Sequence, residues 1–82
     1  MKDRIIVDPK IMLGKPVIKG TRITAETILE KLAAGQNKEE ILIDYPTLKE
    51  QDIHAVLVYA SKLVKKLAPP QYGQNSVAKI SH

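Results

Sequence analysis

Three cations, Lys15, Lys19 and Arg22, stand within eight residues and have no acid among them. They belong to the stretch Gly14-Lys15-Pro16-Val17-Ile18-Lys19-Gly20-Thr21-Arg22-Ile23. The chemistry open to such a set is anion capture. Lysine brings point charge, and the planar arginine fork matches phosphate oxygens and guanine edges. Glycines let backbone N–H groups approach an anion closely. Gly14 and Gly20 permit positive φ at both ends of the stretch. Pro16 sets its own φ and biases Lys15 towards extended geometry. Val17 and Ile18 are β-branched and suit a strand. The stretch is therefore expected to be a rigid basic turn with a short strand, contacting phosphate or nucleic acid. A plain β-turn with solvated lysines has the same local features. Arg22 also has a purely structural use, an i, i+4 pair with Glu26 at the head of a helix. A P-loop is excluded, because that motif ends in Gly-Lys-Ser/Thr where this chain has Gly20-Thr21-Arg22.

A second set of polar residues, Thr47, Lys49, Gln51 and His54, lies at the start of the longest helical pattern. Each can exchange hydrogen bonds with base edges if that helix is the recognition helix of a helix-turn-helix. Glu50 and Asp52 place two negative charges in the same region and oppose that reading. As first-turn residues, these acids and the Glu39-Glu40 pair also suit the positive end of a helix dipole. No catalytic constellation is present. His54 and His82 are far apart in sequence, and HxxxH, CxxC and Gly-x-Ser-x-Gly patterns are missing. The chain has no cysteine, hence no disulfide and no thiolate metal site. A non-enzymatic protein without metal or cofactor is expected.

The elements that position these residues can be read from pattern. Residues 4–7 suggest a short strand, Asp8-Pro9 a turn, and residues 11–13 either a buried segment or a second extended pass. With Val17-Ile18 this gives one antiparallel strand pair, unstable alone and in need of helices or another chain. A first helix is expected over residues 25–34. Thr24 is its N-cap, Gly35 its stop, and Ala25, Ile28, Leu29, Leu32 and Ala33 its apolar face. A second helix, residues 38–43, has Asn37 and Glu40 as a capping box and Ile41 and Leu42 as core residues. A third, residues 49–67, carries Ile53, Val56, Leu57, Ala60, Leu63, Val64 and Leu67 at helical spacing. Its start has two solutions: a Thr47–Glu50 capping box, or Lys49 as cap with Leu48 and Ile53 as a hydrophobic staple. Leu29 and Leu57 sit at the centres of their stripes and are expected to be buried.

The chain has 82 residues and a net charge of +4. Residues 1–22 and 62–82 each carry +4, while residues 23–61 carry −4, so the positive potential belongs to the two ends. Such a split suits a polyanionic partner. Phe and Trp are absent, leaving Ile, Leu, Val and Ala to build the core. One small domain, residues 1–68, is expected, and a core of this size favours a homodimer. Residues 69–82 are expected to form a flexible C-terminal tail, with Tyr72, Val77 and Ile80 as anchors for a partner. No apolar run is long enough to span a membrane and the N-terminus does not look like a signal peptide, so a cytoplasmic protein is expected.

The Gly-Lys-Pro-Val-Ile-Lys-Gly-Thr-Arg block, with Asp8-Pro9, Ala34-Gly35, Asp44-Tyr45-Pro46 and Asp52-Ile53, resembles the bacterial and archaeal family called domain of unknown function 433. The resemblance runs over about residues 5–60. It implies a mainly α fold, in which an N-terminal strand pair precedes a three-helix, homeodomain-like helix-turn-helix bundle. It also implies an antitoxin-like regulator that binds operator DNA and masks a toxin of the PIN-like ribonuclease type, often encoded beside it. The family usually has a hydroxyl residue where this chain has Lys49. A protein-interaction module without DNA affinity is the alternative.

Overall fold

The computed structural model of the chain describes residues 3–67. The expected tail, with Tyr72, Val77 and Ile80, lies outside the described residues. Two short strands, β1 (Ile5–Ile6) and β2 (Val17–Ile18), precede three helices, α1 (Ala25–Ala33), α2 (Lys38–Asp44) and α3 (Glu50–Leu67). The strands pair antiparallel, with Ile5 opposite Ile18 and Ile6 opposite Val17. Past β2 the chain turns through Lys19-Gly20-Thr21-Arg22 and runs back beside it, so Val17 also bridges Thr24. The strand pair rests on the helices, as a two-stranded ribbon must.

The three helices begin where local chemistry directs. Thr24 caps α1 by accepting from the Thr27 amide at 3.0 Å. The Asn37 side chain accepts from the Glu40 amide at 2.9 Å, and the Glu40 carboxylate accepts from the Asn37 amide at 2.8 Å, a complete capping box for α2. Gly35 stops α1 with φ at +100°. At α3 the Lys49 solution holds, but the capping acid is Asp52 and not Glu50. The Asp52 Oδ2 accepts from the Lys49 amide at 2.8 Å. Leu48 and Ile53 are both buried, which completes the staple.

Ile18, Ala25, Ile28, Ile41, Leu48, Ile53 and Val56 form the core, with Ile5, Ile23, Leu29, Leu32, Leu42 and Tyr45 packed around it. Several expectations fail. Leu29 is only partly buried, and Leu63, Val64 and Leu67, expected on the apolar face of α3, are exposed. Leu57 is 46% exposed, because the short α1 and α2 cover only the Ile53–Val56 edge of the α3 stripe. Residues 11–13 make neither a strand nor a buried segment. Met12–Gly14 form a 3₁₀ turn in which Met12 (φ +50°) and Leu13 (φ +59°) are left-handed and Leu13 is 93% exposed.

Candidate nucleic-acid interface

The basic turn is rigid for reasons its sequence contains. The Ile18 amide donates to the Ile23 carbonyl at 2.9 Å, and the Thr21 amide donates to the Ile18 carbonyl at 3.0 Å. The Thr21 hydroxyl also donates to the Ile18 carbonyl and accepts from the Ile23 amide, at 2.8 and 2.9 Å. Gly20 supplies the left-handed residue this closure needs, at φ +80°. Thr21 is thereby consumed inside the turn, and Lys19 and Arg22 are left exposed on either side of it.

The three cations have different neighbours. Lys15 meets Glu26 at 3.1 Å, taking the acid expected to pair with Arg22. The Arg22 guanidinium lies 4.0 Å from the Met12 Sδ. Lys19 donates its amide to the Arg4 carbonyl at 2.7 Å, which places it on the side of β1. Among the described residues, neither Lys19 nor Arg22 has a carboxylate within ion-pair distance.

Arg4 links this turn to the head of α3. Its Nη1 donates to the Asp52 Oδ1 at 2.7 Å. Asp52 is thus a buried acid with both oxygens used, one by Arg4 and one by the Lys49 amide. Glu50, the other acid at this end of α3, pairs with Lys38. That contact holds the Glu50 carboxyl below its usual pKa and the Lys38 ammonium above its own, through the hydrogen bond first and the opposite charge second.

With both acids engaged, Thr47, Lys49, Gln51 and His54 are exposed around the start of α3. The structure brings Gln51 and His54 together between two grooves. One, of about 500 Å³, is also lined by Asp3, Arg4, Val58 and Lys62. The other, of about 520 Å³, is also lined by Lys38, Glu50 and Leu57. Thr47 and Lys49 lie in the connection between α2 and α3, directly before the first turn of α3. Arg4, Lys38 and Lys62 were not singled out by the sequence reading. The surface that results has hydrogen-bonding side chains on a helix start and cations around them, a composition suited to base edges and phosphates.

Comparison with known proteins fits this architecture. A chain 30% identical over 59 residues is an uncharacterised protein, y4eO, of Sinorhizobium fredii; the match takes in 72% of this chain and 27% of that one. A 24-residue stretch is 62% identical to an uncharacterised protein of Archaeoglobus fulgidus, covering 29% of this chain and 67% of that protein. The crystal structure of a DUF433 member from Anabaena variabilis superposes with a TM-score of 0.74 at 26% identity, over 79% of this chain and 64% of that one. The chain therefore spans about a quarter of the rhizobial relative and under two thirds of the cyanobacterial one. The family described as protein of unknown function (DUF433) matches residues 5–60, over two thirds of the chain, and this chain belongs to that family.

Proposed function

We propose that this chain is a non-enzymatic, antitoxin-like transcriptional regulator. It binds operator DNA as a homodimer in the cytoplasm and sequesters a partner toxin of the PIN-like ribonuclease type through another surface. One observation carries the DNA half. The two acids that would repel a phosphate backbone from the head of α3 are already paired, Asp52 by Arg4 and Glu50 by Lys38. Thr47, Lys49, Gln51 and His54 then face DNA with their charge balance positive, and Lys19 and Arg22 add phosphate contacts from the adjoining turn. The toxin half rests only on what the family resemblance of the Gly14–Arg22 block implies.

The test is titration of the protein with duplex DNA from upstream of its own gene and with a scrambled duplex, over a range of salt. The logarithm of affinity should fall with the logarithm of salt by about 0.9 for each phosphate contact. Lys19→Ala and Arg22→Ala should weaken both duplexes alike, while Gln51→Ala and His54→Ala should lose preference worth about 1–3 kcal/mol for the cognate duplex. The second reading, an interaction module without DNA affinity, is favoured by the apolar side chains exposed on the last turns of α3, Leu63, Val64 and Leu67. It is the one left standing if neither duplex binds at low salt.

A further inference from the structure

The α3 helix carries an apolar seam that its own domain leaves unfinished. Ile53, Val56, Ala60, Leu63 and Leu67 follow one another at alternating intervals of three and four residues, the spacing of a continuous helix-packing stripe. Ile53 and Val56 are buried, but every residue from 61 to 67 is exposed, Leu67 at 84%. At about 1.5 Å per residue, these last turns carry the seam roughly 10 Å past the core. Where the seam leaves the core, an apolar groove of about 380 Å³ opens between α1 and α3. It is lined by Leu29, Ala33, Ala60 and Leu63, with Glu26 and Glu30 contributed by α1.

We propose that a second copy of this chain fills the groove: the projecting half of α3 from each protomer lies across the α1–α3 groove of the other, in a two-fold symmetric dimer. Charge selects this arrangement. The projecting half carries Lys62, Lys65 and Lys66 and no acid, so pairing the two projecting halves directly sets lysines against lysines. Laid across α1 of the partner copy, the same lysines meet Glu26 and Glu30. Glu26 is shared with Lys15, whereas Glu30 has no cation within 4.0 Å among the described residues and is available to the partner. Ala33 and Ala60 are small enough to let a helix approach closely, and Leu63, Val64 and Leu67 supply the side chains that enter. Each protomer offers one groove and one projecting helix, so two equivalent contacts close the dimer and leave no open end. None of Thr47, Lys49, Gln51 or His54 takes part. The assembly stands without the DNA reading and is tested in the absence of nucleic acid.

The experiment is sedimentation equilibrium on the full chain and three variants. The wild type should be a dimer. Leu63→Arg should be a monomer with an unchanged circular dichroism spectrum, since Leu63 is already half-exposed. Glu30→Lys and the double variant Lys62→Glu/Lys66→Glu should each self-associate at least about tenfold more weakly than the wild type, a loss of about 1.4 kcal/mol. Mixed in equal amounts, those two variants should recover wild-type affinity as a heterodimer, because each contact again joins opposite charges. A monomeric wild type overturns the proposal and leaves the groove to another protein or to residues 68–82. A dimer that none of the variants moves, or a mixture no tighter than its separate chains, overturns it equally.

Discussion

Removing the Asp52 carboxylate should be among the most damaging single changes to this fold outside the apolar core. Asp52 is 6% exposed and accepts two short hydrogen bonds, from the Arg4 guanidinium at 2.7 Å and from the Lys49 amide at 2.8 Å. The second is a helix cap, worth about 0.5–2 kcal/mol. The first is charge-assisted and partly buried, worth about 1.5–3 kcal/mol. Asp52→Ala removes both, and the upper bound for breaking a buried pair is about 3–5 kcal/mol. The Arg4 side chain is 34% exposed, so it recovers water when its partner is lost, and the expected cost settles at about 2–4 kcal/mol. Against a total stability of about 0.05–0.15 kcal/mol per residue, that is a large fraction of what holds the domain together. Urea unfolding followed by circular dichroism reads it directly. Asp52→Asn keeps an oxygen for the Lys49 amide and should cost about half as much, within the same helix-cap and ion-pair magnitudes. A double-mutant cycle with Arg4→Ala should return a coupling of about 1 kcal/mol or more, the threshold for residues in one network. A cost under about 0.5 kcal/mol for Asp52→Ala, typical of a surface position, refutes the reasoning.

Ile28→Ala, at a fully buried site, should cost about 2–5 kcal/mol in the same assay, whereas the half-exposed Leu57→Ala should cost under about 1 kcal/mol. Leu13→Asn should raise stability by about 1 kcal/mol, because the side chain is almost wholly exposed and asparagine tolerates the left-handed backbone that leucine resists. Glu50→Gln should destabilise at neutral pH and matter less in acid. The folded-state pKa of Glu50 is lowered, so its contribution is present above the ordinary value of 4.5 and is lost as pH falls below it. Both partners of that pair face solvent, so added salt should shrink the difference as well.

The start and stop of α1 and the start of α2 were legible because each rests on a few neighbouring residues, Thr24, Gly35 and the Asn37–Glu40 box, whereas the start of α3 had two local solutions and only the fold selects the Leu48–Ile53 staple. The Arg4–Asp52 link was not legible, since it joins residues 48 positions apart and no local pattern announces it. The alternative use of Arg22 as the partner of Glu26 fails for a geometric reason. Arg22 precedes the Thr24 cap and lies in a turn, so helical i, i+4 spacing does not apply to it, while Lys15 reaches Glu26 across the fold. Leu57 followed the correct helical phase, yet the phase does not reveal how wide a stripe two short neighbouring helices can cover. The Met12–Leu13 turn breaks the ordinary preference for glycine or asparagine at left-handed positions, and no composition rule anticipates it. At the candidate interface, the exposed donors on α3 could be named from the helix alone. The groove that Arg4 and Lys62 share with them needed the fold.

The strand arrangement limits how this protein can meet others. β2 has neighbours on both sides, β1 on one and the returning Ile23–Thr24 segment on the other, so the β-branched pair Val17 and Ile18 presents no open edge. β1 is two residues long, is bounded by Asp3-Arg4 on one side and by Val7 and then Asp8-Pro9 on the other, and is tied to α3 through Arg4. Short strands flanked by charge and proline resist edge-to-edge aggregation. They also deny a peptide the ladder it needs for β-augmentation. Among the described residues, a protein partner is therefore offered side chains on helices and turns, and a segment that binds by adding a strand is offered at most the two-residue outer edge of β1.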